Sequence, residues 1–225
     1  MDVDKLYGKY ISVNGDSICN GAGCDGGYVK IIADRCGMKY QNVAVNGASI
    51  VAESYRKSGE ARHWISRTVS KMDPDADYAI VEGGVNDASI SEIKLGKMSE
   101  GYDGPLDDTT FIGAFESMLK QLTKKYSGKK IGYIAVHQMT KRFSATYGGD
   151  DSFYLAAKRC CEKWGVPFCD LNVSCPPFGF FAEDGDPDLY AMRVAYTMNG
   201  DGWHPNEAGY LKYYCDKIES WLKSL

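Results

Sequence analysis

Five short apolar runs, each closing on a glycine, asparagine or histidine, limit this chain more than any other feature. They are KYISVNG (Lys9–Gly15), NVAVNG (Asn42–Gly47), YAIVEGG (Tyr78–Gly84), IGYIAVH (Ile131–His137) and VPFCDLN (Val166–Asn172). Runs of this length bounded by turn residues read as buried strands. Helical periodicity is expected over 26–36, 59–72, 109–127 and 151–164. It returns over 206–223, where Tyr210, Leu211, Tyr214, Ile218, Trp221 and Leu222 share one face at spacings of three and four. Asn206, just after Pro205, suits the N-cap of that last helix. Strands that alternate with helices imply a parallel sheet covered on both faces, joined by right-handed crossovers. The expected fold class is therefore α/β, a three-layer α/β/α sandwich with about five parallel strands. Its 225 residues fill one such domain and are short for two, so residues 1–225 are taken as a single domain.

Ligands of such sheets bind beyond the carboxyl ends of the strands. Gly15–Ser17, Gly47, Gly83–Asp87, His137 and the segment leading to His204 are therefore the places to look for chemistry. The first of these offers two readings. Gly21, Gly23 and Gly26 spell G-x-G-x-x-G, the cue for a dinucleotide pyrophosphate. That loop needs its first glycine at the strand's end, whereas Gly21 falls seven residues after Asn14. It also needs an acidic residue closing the second strand, and none occurs there before Glu53. The glycines read better as turn residues that let backbone pass close to a site.

Ser17 offers the other chemistry. A serine hydroxyl attacks at neutral pH only beside a base, and the base needs a carboxylate to orient it. DGWHPNEAGY supplies both within one turn, as Asp201 and His204. The order Ser17, Asp201, His204 suits a serine hydrolase on an α/β sheet. A Gly-x-Ser-x-Gly elbow is excluded, because Cys19 stands where its second glycine belongs.

Gly15-Asp16-Ser17-Ile18 resembles the G-D-S-L signature of the SGNH (GDSL-like) hydrolases, the lipase/acylhydrolase family, with Ile18 in place of the commonest Leu. NVAVNGAS resembles that family's second motif, GGVND its G-x-N-D third motif, and DGWHP its final D-x-x-H-P motif, in order along most of the chain. The resemblance implies the flavodoxin-like sheet order 2-1-3-4-5. It implies a serine esterase with Ser17, Asp201 and His204 as catalytic triad and Ser17, Gly47 and Asn86 as oxyanion hole. Negative charge that builds on a carbonyl oxygen would meet the N–H groups of Ser17 and Gly47 and the Asn86 amide. No metal or cofactor is expected.

Composition narrows the partners. A net charge of -4 and an isoelectric point near 5.4 argue against a nucleic-acid groove. No apolar run approaches the roughly 20 residues of a membrane span. MDVDKLYGKYISV lacks the basic flank and apolar core of a signal peptide, so a cytoplasmic location is expected. The eight cysteines, without a C-x-x-C pair, are then expected as reduced thiols rather than metal ligands.

A small-molecule or saccharide ester is the expected partner, with short-chain or O-acetyl esters favoured. Trp203, Phe180 and His137 are candidates to line the pocket, although His137 can equally be packing. Phe178, Phe181, Tyr190 and Tyr196 lie in the same long loops as Phe180. His63 reads as a helix-surface or packing residue. The irregular segments 88–108 and 174–200 are expected to form lids or pocket walls. Two other functions remain open: a carbohydrate- or ligand-binding version of the scaffold, and acyl transfer to a sugar hydroxyl.

Overall fold

Apolar side chains alternate along the central strands. Ile11 and Val13 of β1 (Tyr10–Asn14), Ile80 of β3 (Tyr78–Glu82) and Ile134 of β4 (Lys130–Ala135) share one sheet face. In the computed structural model, which describes residues 4–51, 64–90, 92–138, 152–175 and 185–225, these strands join β2 (Lys39–Asn42) and β5 (Phe168–Asp170). The sheet is parallel throughout and runs in the order β2-β1-β3-β4-β5, as expected.

The aliphatic face of the sheet meets Tyr28, Val29 and Ile32 of α2 (Gly27–Cys36) and Ile218 and Leu222 of the C-terminal helix. Its other face is aromatic: Tyr133 of β4 packs edge-on against Phe115 at 4.9 Å between ring centres, and Phe111 meets Phe153 at 4.8 Å. Those phenylalanines come from α5 (Phe111–Lys125) and α6 (Ser152–Trp164), beside the short α3 (Ile65–Thr68). The short helices α1 (Ser17–Asn20) and α4 (Val85–Ala88) stand at the carboxyl ends of β1 and β3, α7 (Leu171–Ser174) follows β5, and α8 (Pro187–Tyr196) lies in the segment expected to be irregular.

Three expectations are corrected. The second strand spans Lys39–Asn42 instead of running to Gly47: Val43 N and Val45 N still donate to Val13 O and Gly15 O, but the Asn42 side chain turns the chain out of regular extension. Its Oδ1 accepts from Ala44 N at 3.0 Å, an Asx turn, while its Nδ2 donates to Cys19 O at 2.9 Å. Next, the last helix does not keep one period. Asn206 caps it, accepting from Gly209 N at 3.0 Å. After α9 (Glu207–Gly209) the chain widens into a π-helical stretch, Tyr210–Cys215, and then resumes as α10 (Asp216–Ser224). The wider turn leaves Leu211 at 44% exposure and buries Cys215.

The segment after α4 is the third: Ser89 at its start lines the cleft beside Ser17, as a pocket wall does, but the stretch around Ser99 is strapped to the helices instead. Glu116 on α5 accepts from Ser99 N at 2.8 Å, from Lys163 Nζ at 2.6 Å and from Trp164 Nε1 at 3.0 Å. A fully buried carboxylate met by that many donors holds its loop firmly. Residues 176–184, with Phe178, Phe180 and Phe181, and His63 lie outside the described residues. All eight cysteines are free thiols, seven of them buried. No described helix is long and apolar enough to cross a membrane.

Leu119 lies on the buried side of α5 with no exposed surface. Leu119→Ala should lower unfolding stability by about 2–5 kcal/mol, read as a shift in the urea midpoint with an unchanged slope.

Candidate active site

β1 ends at Asn14, and two residues later the chain turns into α1. Asp16 is the N-cap of that helix, its Oδ1 accepting from Ile18 N at 2.9 Å. Ser17 is therefore the first helical residue, and its N–H is one of the donors a helix start leaves without an intrahelical acceptor.

The imidazole arrives from the far end of the chain. Met198 N donates to His204 O at 2.8 Å and closes the loop that carries it. Inside the loop, Asp201 Oδ1 accepts from the N–H groups of Trp203 and His204 at 2.8 and 3.0 Å. That leaves Asp201 Oδ2 for His204 Nδ1, at 2.7 Å, while His204 Nε2 lies 2.9 Å from Ser17 Oγ. Partial burial works to raise the Asp201 pKa, but the bonds from the imidazole and the two N–H groups outweigh it and hold the carboxyl below its ordinary value. An ionised Asp201 fixes the Nδ1–H tautomer and turns the Nε2 lone pair towards the serine.

The G-x-G-x-x-G segment serves this geometry. Gly21 caps α1 with φ +83°, in the left-handed region. A Cβ on Gly23 would lie 2.4 Å from Pro205 O and 3.2 Å from His204 O. Gly23 thus lets one backbone lie directly behind the turn that holds the base.

Ser17, Gly47 and Asn86 line one cleft of about 440 Å³, together with Trp203 and His204. Gly47 has φ +74°, a conformation a side chain would strain. Asn86 Nδ2 donates to Ala48 O at 2.9 Å, and its nearest second acceptor, Asp16 Oδ2, is 3.4 Å away. One amide proton is committed to the Gly47 loop, and the other has only a weak acceptor.

Asp87 is not the helix cap its position suggests. It is fully buried, accepts from Ile50 N and Val51 N at 2.8 Å each, and so ties the end of the Gly47 loop to α4. Burial raises its pKa to about 6 despite these bonds.

His137 is corrected more strongly. It has no exposed surface, its Nδ1 is hydrogen-bonded to the Tyr214 hydroxyl, and it is absent from the cleft wall. Burial, with a smaller effect of His204, lowers its pKa to about 3, so it is neutral packing and not a pocket residue. The apolar walls come instead from Ile18 and Val85, the apolar members of the GDSI and GGVND stretches, and from Met198, which lies in no motif. Glu82, which inside a buried strand reads from the sequence as a paired structural carboxylate, does have such a partner: its buried carboxyl group and that of Asp16 lie against one another below the Ser17 turn.

Residues 13–212 match the model of the GDSL-like Lipase/Acylhydrolase family. Among solved structures, a Lactobacillus plantarum protein superposes with a TM-score of 0.73 at 25% identity, covering 97% of this chain and 98% of that one. A Bacteroides ovatus protein assigned as a GDSL-like lipase gives 0.67 at 14% identity, over 97% and 99%. A family two carbohydrate esterase from Clostridium thermocellum, in complex with cellohexaose, gives 0.62 at 15% identity, over all of this chain and 66% of that one. No curated protein matches the chain significantly in sequence.

Two outcomes follow from this geometry. Gly23→Ala should push the His204 turn away from Ser17, lowering kcat on an activated ester about tenfold or more and stability by about 1–3 kcal/mol. His137→Gln should leave KM unchanged and alter the pH dependence of stability. Unfolded wild type protonates this imidazole near 6.5, whereas the folded form resists until about 3. The wild type should therefore lose stability relative to the variant as pH falls through that window, measured by urea titration at several pH values.

Proposed function

Because the chain belongs to the GDSL-like lipase/acylhydrolase family, we propose that it is a serine esterase with Ser17 as nucleophile, His204 as general base and Asp201 as the carboxylate that orients it. The observation that carries the proposal is the hydrogen-bond chain from Asp201 Oδ2 through the imidazole to Ser17 Oγ, with links of 2.7 and 2.9 Å. Both contacts fall in the range at which a proton passes between nucleophile and base.

As Ser17 Oγ attacks the ester carbonyl carbon, its proton moves to His204 Nε2, and Asp201 stabilises the imidazolium. The carbonyl oxygen takes up the electron pair and is met by the N–H groups of Ser17 and Gly47 and by the weakly held amide proton of Asn86. Collapse of the adduct expels the alcohol, which takes the proton back from His204. Water then repeats the sequence on the acyl-enzyme and releases the acid. Pre-aimed donors act where charge develops, and each contributes about 2.7–4 kcal/mol to transition-state stability.

The cleft supports a small acyl group. Its volume of about 440 Å³ is at the low end for ligand sites, and its walls beside Ser17 are Ile18, Val85 and Met198. Trp203, next to the base, offers a ring face against which a sugar can stack. Together with the likeness to a carbohydrate esterase that holds cellohexaose, this favours O-acetyl groups on saccharides as substrates.

A panel of p-nitrophenyl esters of increasing acyl length and of acetylated sugars tests this reading. Acetyl esters should be turned over fastest, and Ser17→Ala should abolish turnover. Asn86→Ala should lower kcat by about 10²–10³ with little change in KM. Turnover that survives in Ser17→Ala would sink the mechanism, and a preference for long acyl chains would sink the substrate class.

A further inference from the structure

Two carboxyl groups lie beneath the nucleophile turn, and the mechanism above uses neither. Asp16 is 1% exposed and Glu82 is fully buried, each a hydrogen-bond neighbour of the other. No lysine or arginine stands among the groups that act on either one, and the His204 imidazole acts only on Asp16, as the smallest of its influences. Adjacent buried carboxyls without a cation cannot both ionise, so the pair holds a proton.

The hydrogen bonds say where it sits. Both oxygens of Asp16 face donors: Oδ1 accepts from Ile18 N at 2.9 Å, and Oδ2 faces Asn86 Nδ2 at 3.4 Å. The Glu82 carboxyl is met by the N–H groups of Cys19, at 2.9 Å from Oε2, and of Asp16, but Oε1 has no hydrogen-bond partner among the described residues. An oxygen with no donor to accept from, next to a carboxylate, is the place for the proton.

We propose that Glu82 is a positioning residue for the nucleophile: it carries the pair's proton on Oε1, donates it to Asp16, and holds the Cys19 N–H. Asp16 then remains a carboxylate bridging the Ser17 turn and Asn86, and Ser17 Oγ stays on His204 Nε2. Burial, and after it the neighbouring Asp16 charge, push the Glu82 carboxyl well above its ordinary value, in accord with this placement. Gly15 completes the fit, since a Cβ there would stand 2.8 Å from Glu82 Oε2. The role rests on the serine-esterase reading.

Glu82→Gln tests it, because the amide nitrogen can donate to Asp16 while the amide oxygen accepts from Cys19. Glu82→Met keeps the length and provides neither bond. Two readouts are needed: infrared absorption of neutral carboxyl groups at mildly alkaline pH, where Asp87 is ionised, and the rate at which an organophosphorus ester labels Ser17. Wild type should show a neutral-carboxyl band that Glu82→Gln lacks. Glu82→Gln should be labelled within about threefold of the wild-type rate. Glu82→Met should be labelled about tenfold more slowly or worse, with a matching fall in kcat and little change in KM. Circular dichroism establishes folding, and if Glu82→Met does not fold, the Glu82→Gln band and rate decide. A band that persists in Glu82→Gln puts the proton elsewhere and overturns the proposal. So does a folded Glu82→Met labelled at the wild-type rate while wild type is labelled normally. Wild type that resists labelling altogether overturns the serine-esterase reading, and this role with it.

Discussion

Ser17 stands on a helix of four residues, and a helix that short cannot hold its own shape. Its position depends on what reaches it from elsewhere in the fold. Asn42, at the end of β2, donates to Cys19 O, and the Tyr210 hydroxyl donates to Ile18 O at 2.8 Å. Glu82, at the end of β3, takes the Cys19 N–H, and Asp16 takes that of Ile18. Three elements of the scaffold thus meet on one turn. The strand order explains why: β1 lies between β2 and β3, so the ends of both neighbours flank its exit.

Charge is distributed with depth around this turn. Asp201, half-buried and met by three donors, is held as a carboxylate at the cleft. Deeper in, His137 is held neutral, and Glu82 is pushed towards its neutral form. Desolvation penalises ionised forms in the interior, whereas hydrogen-bond donors favour the anion nearer the surface. The His204 imidazole therefore meets one well-supported carboxylate at the cleft, while the anions behind it, Asp16 and Asp87, are each held by backbone N–H groups.

Much of this was legible in the sequence, for physical reasons that differ by residue. β1, β3 and β4 were readable because burial on both faces demands continuous apolar runs. Ser17, Asp201 and His204 were readable as a candidate triad because the chemistry proposed for them needs those residue types at a strand end and in one tight turn. The end of β2 was not, since it depends on where the Asn42 side chain finds a partner 23 residues away. Asp87 looked like a cap because its partners, Ile50 and Val51, are distant in sequence. His137 sits at the active edge of the sheet, as its position suggests, but periodicity cannot say whether a residue after a strand points into a cleft or beneath it. The walls at Ile18, Val85 and Met198 are ordinary apolar residues, which only the folded chain distinguishes from core.

The π-helical stretch Tyr210–Cys215 makes chain length itself a structural variable. Its wide turn lets Tyr210 reach the Ser17 helix and Tyr214 reach His137 from consecutive turns of one element. That turn takes up about one residue more than ordinary winding would, so losing a single residue from it would restore an ordinary helix and leave everything downstream in phase. Ile218 and Leu222 would still face the sheet, whereas the same deletion inside α10 would turn the residues after it by about 100°. The stretch is thus the place where the last helix can change length without changing the face it presents.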